Sequence, residues 1–132
     1  DGGVFINSPA VSAYAEARKL FPDEPIAMLS LGTGEVTRPI PYDEARTWGS
    51  ALWGMSLLDC MFDGASKAAD HQMRLFLGDD YLRLQTQLHY ASDDMDDASR
   101  GNIRNLKQTA TELIEREAGA LRHFFKITPR AL

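Results

Sequence analysis

Ile26-Ala27-Met28-Leu29-Ser30-Leu31-Gly32-Thr33-Gly34 is the stretch that decides the fold class. Its first six residues are almost continuously apolar, as expected of a central parallel strand covered on both faces, and Gly32 and Gly34 stop it. Just upstream, Ser8-Pro9 reads as a helix start. Serine is a good N-cap, and proline at the first helical position gives up an N–H that would lack a partner anyway. That helix is expected to run through Ala13, Ala17 and Leu20 to about Phe21, where Pro22 and Pro25 end it. A helix feeding a buried strand is half of an α/β repeat, so the expected fold class is α/β.

Outward from this core the pattern continues. Thr37 to Tyr42, with Pro39 and Pro41, is a loop. From Thr47 to about Leu77 the spacing is helical, with an expected break at Asp63-Gly64. Tyr81 to Leu88 alternates apolar and polar residues, which predicts a strand with one wet face. An acidic loop follows, then a single long helix from about Asn102 to Phe125. In it Ile103, Leu106, Ala110, Leu113, Ile114 and Leu121 recur near helical spacing. No internal repeat, low-complexity tract or interdomain linker interrupts the chain.

Composition narrows the classes. The chain has 132 residues, 44% hydrophobic and 25% charged, within the range of ordinary globular domains and large enough for a core. A formal net charge of -5 argues against a nucleic-acid partner, which wants a clustered positive face. A lone cysteine, Cys60, makes no internal disulfide. The segment Trp48 to Phe62 is the most hydrophobic, yet Gly49, Gly54 and Asp59 leave it too short and broken for a membrane span. The expectation is a helix buried on most sides. The other reading is that Trp48, Trp53 and Met55 wall an acyl-chain groove or touch a membrane surface.

Six further motifs accompany the opening stretch. Asp1-Gly2-Gly3 begins the chain, Asn7-Ser8-Pro9 precedes the first helix, and Ser30-Leu31-Gly32-Thr33-Gly34 ends the first strand. Thr47-Trp48-Gly49, Asp63-Gly64-Ala65-Ser66, Tyr81-Leu82-Arg83-Leu84-Gln85 and Met95-Asp96-Asp97-Ala98-Ser99 follow in order. Together they resemble the C-terminal half of the patatin-like phospholipase, or lipid acyl hydrolase, family, from its Asp-Gly-Gly motif onward. Ser8 stands where that family usually has a second asparagine.

The resemblance implies a three-layer fold with a mainly parallel sheet between helices. Residues 1–132 would be the C-terminal part of one such domain, its serine nucleophile and oxyanion loop lying upstream. It also implies a Ser-Asp dyad in which Asp1 is the general base and proton acceptor. A free aspartate, with a pKa of about 3.9, is a weak base near neutrality, so partial burial beside the serine and preorganised oxyanion donors would have to help. Gly2 and Gly3 would let the backbone turn sharply at a strand end. Asn7, Gly32, Thr33 and Gly34 are candidates for the rim of the active site. The implied activity is phospholipase A or lysophospholipase chemistry on a membrane lipid or phospholipid, through an acyl-enzyme and with no metal or organic cofactor. The 132-residue chain alone is expected to be inactive, and a cytoplasmic or membrane-peripheral location is favoured.

Competing motifs are weaker. Gly54-Met55-Ser56-Leu57-Leu58 begins like a nucleophile elbow but lacks the second glycine and sits in a helical pattern. Gly32-Thr33-Gly34 opens like a dinucleotide fingerprint, but Thr37 replaces the third glycine and Pro39 follows instead of a helix. Asp93, Asp94, Asp96 and Asp97 lack the glycine of a calcium loop and read as solvated carboxylates at a helix N-terminus. His71, His89 and His123 have no second ligand at a helical offset, so no metal is expected. The five methionines read as core gap-fillers. The alternatives to an enzyme are a non-catalytic storage or interaction domain of the same fold, or a nucleotide-sensing module built on the Gly32–Gly34 turn.

Overall fold

The computed structural model describes residues 2–36 and 39–127, without the side chains of Val4 and Met55. In chain order the elements are α1 (Gly2–Phe5), α2 (Ala10–Leu20), β1 (Met28–Leu31), α3 (Tyr42–Ala45), α4 (Ser50–Leu77), β2 (Tyr81–Leu84), α5 (Arg100–Arg116) and α6 (Ala118–Ile127), with a 3₁₀ turn at Gly78–Asp80. These sort into two compact units. One holds the four helices α1 to α4; the other holds both strands with α5 and α6.

In the helical unit, α2 packs on α4. Ala10 of α2 and Ala69 and Met73 of α4 are buried, Met73 completely. Tyr14 stacks on Phe76 with ring centroids 5.8 Å apart. Arg18 lies over the Tyr14 ring and donates to the carbonyls of Pro22 and Glu24, which fastens the chain leaving α2. The helix start differs from the expected one. Pro9, with φ -80° and ψ 5°, takes the capping position in place of Ser8, and no side chain caps it. Because Pro9 is already close to helical, its carbonyl accepts the Ala13 N–H at 2.8 Å and the first turn closes without serine.

α4 corrects the sequence reading twice. Its 28 residues run through Asp63-Gly64 without the expected break. Glycine in a helix interior costs about 1 kcal/mol relative to alanine, which weakens but does not break a long cooperative helix. The Asp63–Lys67 ion pair at 2.7 Å, one turn apart, offsets part of that cost. Nor is the segment Trp48 to Phe62 buried on most sides: Leu52, Leu57, Leu58 and Met61 are each more than half exposed. The reason is length. With 11 residues against 28, α2 spans about 16 Å to α4's 42 Å and covers only the end carrying Ala69, Met73 and Phe76. No described helix is long and apolar enough to cross a membrane.

In the second unit β1 and β2 pair in parallel, as an α/β reading requires, with Met28 opposite Tyr81, Ser30 opposite Arg83 and Leu31 opposite Leu84. Arg83 donates to the Ser30 hydroxyl across the ladder at 2.8 Å. The sheet has two strands among the described residues, and Leu31 is exposed, so β1 lacks the two-sided cover expected of it. β2 is half as long as the alternation from Tyr81 to Leu88 predicts; beyond Leu84 the pairing reduces to a bridge between Glu35 and Gln87. Tyr81 and Leu84, three apart and therefore on opposite faces, are both buried, so β2 has no fully wet face.

The long C-terminal helix is divided. Glu117, at φ -93° and ψ 6°, leaves helical geometry between α5 and α6, although Leu121 still donates to its carbonyl. α6 then packs on β2, with Phe124 buried. Arg116 holds the break, donating to the Glu117 carboxylate at 3.0 Å and to the Gln85 carbonyl at 3.4 Å.

Because Gly64 is helical and nothing lies within 4 Å of where its Cβ would be, Gly64→Ala should raise stability by about 0.5–1 kcal/mol. Met73→Ala, which empties a fully buried site, should cost about 2–5 kcal/mol. Urea denaturation of the folded protein measures both. A destabilising Gly64→Ala would mean that the chain does break there.

Candidate functional site

The Gly32-Thr33-Gly34 turn is the best-defined candidate feature. It leaves β1 and is stitched to the segment after β2 by backbone and side chain together. The Gly32 N–H donates to the Leu84 carbonyl at 2.8 Å, the Glu35 N–H to the Thr86 carbonyl at 2.9 Å, and the Leu88 N–H to the Glu35 carbonyl at 2.9 Å. Gln85 completes the join. Its Oε1 accepts the Gly34 N–H at 3.0 Å and the Thr86 N–H at 3.1 Å. Gln87 donates to the Glu35 carboxylate at 2.6 Å.

Both glycines are required here. A Cβ on Gly32 would run into the Gln85 carboxamide. Gly34 sits at φ +96°, a backbone conformation that side chains with a Cβ rarely adopt, and faces Leu88. The N–H groups of Gly32, Gly34 and Glu35 all turn toward the second strand segment, while Thr33 stands exposed at the apex. Sequence reasoning noticed the glycines but read Gln85 only as part of the Tyr81–Gln85 motif on a longer strand, not as a partner of the turn. The available signal was register: two residues beyond the Ser30–Arg83 pair, a parallel ladder sets Gly32 opposite Gln85.

Asp1, the candidate base, lies outside the described residues. Its neighbours Gly2 and Gly3 belong to α1, a single helical turn closed by the Ile6 N–H on the Gly2 carbonyl at 2.9 Å. The sharp turn expected of them is therefore not seen, and Gly2 has nothing within 4 Å of its Cβ position. Asn7 is exposed and donates to the Phe62 carbonyl of α4 at 3.5 Å, a long bond that ties the chain before α2 to that helix. Gly2, Gly3 and Asn7 thus lie in the helical unit, and Gly32, Thr33 and Gly34 in the strand-containing one.

The rival motifs find structural explanations. Ser56 lies inside α4, half-buried, with neither the strand before it nor the turn that an elbow needs. Trp48 and Trp53 pack edge to face with centroids 5.6 Å apart; the Met55 side chain is outside the description. The acidic loop is an organised cap. Ser99 Oγ accepts the Asn102 N–H at 3.2 Å, and Asp97 Oδ1 accepts the Ser99 N–H at 3.1 Å. Buried Asn102 accepts the Ser92 N–H and donates to the Asp97 carbonyl, at 2.8 and 2.9 Å. Asp97 is thus more than a solvated carboxylate. Among the described residues no group of three His, Cys, Asp or Glu is placed to hold a metal ion.

With this geometry in hand, the chain can be set beside known proteins. It is 27% identical to Patatin-04/09 and 28% identical to Patatin-12, both of Solanum tuberosum, over 88% of its own length. The chain is similar to the patatins. Patatin-B1 of the same plant aligns over the same share, again at 27% identity. The alignment covers 36% of each of these relatives, so the chain spans about a third of the length of the curated proteins it matches. No protein-family model matches the chain. No solved structure matches it either. The similarity supports a patatin-like family, and the small parallel sheet among helices is compatible with an α/β fold.

Gly34→Ala forces a Cβ into a positive-φ position and should destabilise the protein by about 1–3 kcal/mol. Gly54→Ala, in open helical surroundings, should be neutral or stabilising. Equal thermal melting temperatures for the two variants would show that Gly34 is not conformationally required.

Proposed function

We propose that the complete protein to which this chain belongs is a patatin-type lipid acyl hydrolase that cleaves an ester bond of a membrane lipid or phospholipid. The observation that carries the reading is similarity to patatins over 88% of the chain, joined to the ordered motifs from Asp1-Gly2-Gly3 to Met95-Asp96-Asp97-Ala98-Ser99. Asp1 is the general base of a Ser-Asp dyad. It takes the proton from a serine hydroxyl supplied by another part of the protein, since the elbow-like Ser56 lies within a helix. The serine oxygen adds to the ester carbonyl. Collapse of the tetrahedral adduct expels the alcohol, which leaves with the proton held by Asp1. Water then adds to the acyl-serine, Asp1 accepts its proton, and the fatty acid departs as the serine is regenerated.

The test uses the complete protein and a short-chain ester. Asp1→Asn keeps size and hydrogen-bonding capacity yet cannot accept the serine proton, and should lower turnover roughly 10²–10⁴-fold. Asp94→Asn and Asp97→Asn should cost little, because asparagine retains an acceptor oxygen for the one carboxylate bond observed, from Ser99 to Asp97. Circular dichroism checks that each variant folds. A folded Asp1→Asn with near-normal turnover would rule out the dyad role. The 132-residue chain by itself should show no esterase activity above background.

A further inference from the structure

We infer that the solvent-facing side of α6, where Arg122, Phe125 and Lys126 lie together, docks on an anionic lipid surface. This goes beyond the hydrolase reading and does not rest on it. The first support is where the charge sits. Between Arg100 and Ile127 six Lys and Arg residues stand against three Glu, a balance of +3 in a chain whose formal net charge is -5. Within α6 the asymmetry is complete, for the helix carries Arg122, His123 and Lys126 and no acid. Of the acids just before it, Glu117 holds Arg116 and Glu112 accepts from Gln108. Arg122 and Lys126 form no ion pair among the described residues. The acidic loop of Asp93 to Asp97 lies at the other end of α5, whose 17 residues span about 25 Å. That is well beyond the screening length of about 8 Å at physiological salt.

The second support is the face itself. At about 100° per residue, Phe125, Arg122 and Lys126 fall within an arc of about 100° on α6. Phe124 lies on the opposite side, buried where the helix packs on β2. All three outward residues are exposed, Phe125 by 62%. The Phe125 ring is braced by that of Phe124, edge to face with centroids 5.5 Å apart. A large aromatic ring presented beside two cations suits the boundary of a bilayer. The ring enters the headgroup region, and the stems of arginine and lysine lie along apolar surface while their charges meet lipid phosphates. A nucleic acid would use the same cations, but one short basic face on an acidic chain lacks the extended positive track it needs. The exposed apolar stretch of α4 offers no comparable argument, since from Ser50 to Phe62 its charged residue is Asp59 and nothing there names a partner.

The experiment floats the complete protein with vesicles of ether-linked phosphatidylcholine, with and without ether-linked phosphatidylserine, so that no acyl ester is there to be cleaved. Wild type should float with the anionic vesicles, stay behind with the neutral ones, and be released as salt is raised. Arg122→Gln and Lys126→Gln should each weaken partitioning about fivefold, and together about 25-fold. Phe125→Ala should weaken it about tenfold. Arg104→Gln, which removes a cation from the half of α5 next to the acidic loop, should leave it within about twofold of wild type. Circular dichroism checks that each variant folds; if Phe125→Ala does not, the Arg122→Gln/Lys126→Gln variant decides, because both its positions are exposed. Equal binding to neutral and anionic vesicles, no vesicle binding, or wild-type binding by the folded Arg122→Gln/Lys126→Gln variant overturns the inference. So does binding to an RNA homopolymer in place of vesicles. Ester hydrolysis is scored separately: protein that floats yet hydrolyses no ester sinks the hydrolase reading and leaves the lipid-docking face standing.

Discussion

The parallel ladder between β1 and β2 is the constraint on which the strand-containing unit depends. Parallel strands cannot be joined by a tight turn, so the chain must travel a long way between them. Once the register is set, however, much else follows. Ser30 meets the Arg83 guanidinium, Gly32 comes opposite Gln85, and Glu35 reaches Thr86, Gln87 and Leu88. A slip of one residue would place a β-carbon where the Gln85 carboxamide lies and turn every side chain of the strand to the opposite face. The glycines after β1 are therefore part of the register and not only its punctuation. α6 backs the second strand, and the departure at Glu117 lets the last helix lie on it.

Chemistry and architecture carry different weight in this protein. The turn, its glutamine and the Asn102 cap are each defined by hydrogen bonds of ordinary length between named atoms. The hydrolytic reading draws instead on the order of short motifs and on similarity to patatins, which extends over most of the chain and about a third of theirs. A shared fold does not by itself transmit an activity.

Local signals in the sequence were readable wherever local physics decided. Pro22 and Pro25 ended α2, whose last residue is Leu20. The apolar run before Gly32 formed a parallel strand, and the helical spacing after Asn102 became helix. What the sequence hid were outcomes settled by partners distant along the chain. Gly64 looked like a break, yet Asp63 and Lys67 pair across it on a continuous helix. The run from Trp48 to Phe62 looked like core, and its exposure follows from the shortness of α2, a fact about another element. Ser8 looked like a cap until the dihedral angles of Pro9 moved the helix start. Asn102 read only as a helix start and Gln85 only as the end of a motif, because an amide that accepts backbone N–H groups is spelled no differently from one that meets only water. Asp1 was read through resemblance alone and remains outside the described residues.

The separation of β1 from β2 has a consequence in time. Ser30 and Arg83 stand 53 residues apart in the chain yet share a hydrogen bond. During synthesis at roughly 5–20 residues per second, the first strand emerges about 3–10 s before its partner exists. The helices of the first unit form from nearby residues on much shorter timescales, so they are complete while Met28 to Leu31 still lacks β2. A nascent chain thus carries β1 without its β2 partner for several seconds. That interval, more than the finished fold, is when the protein is open to chaperones and to wrong partners.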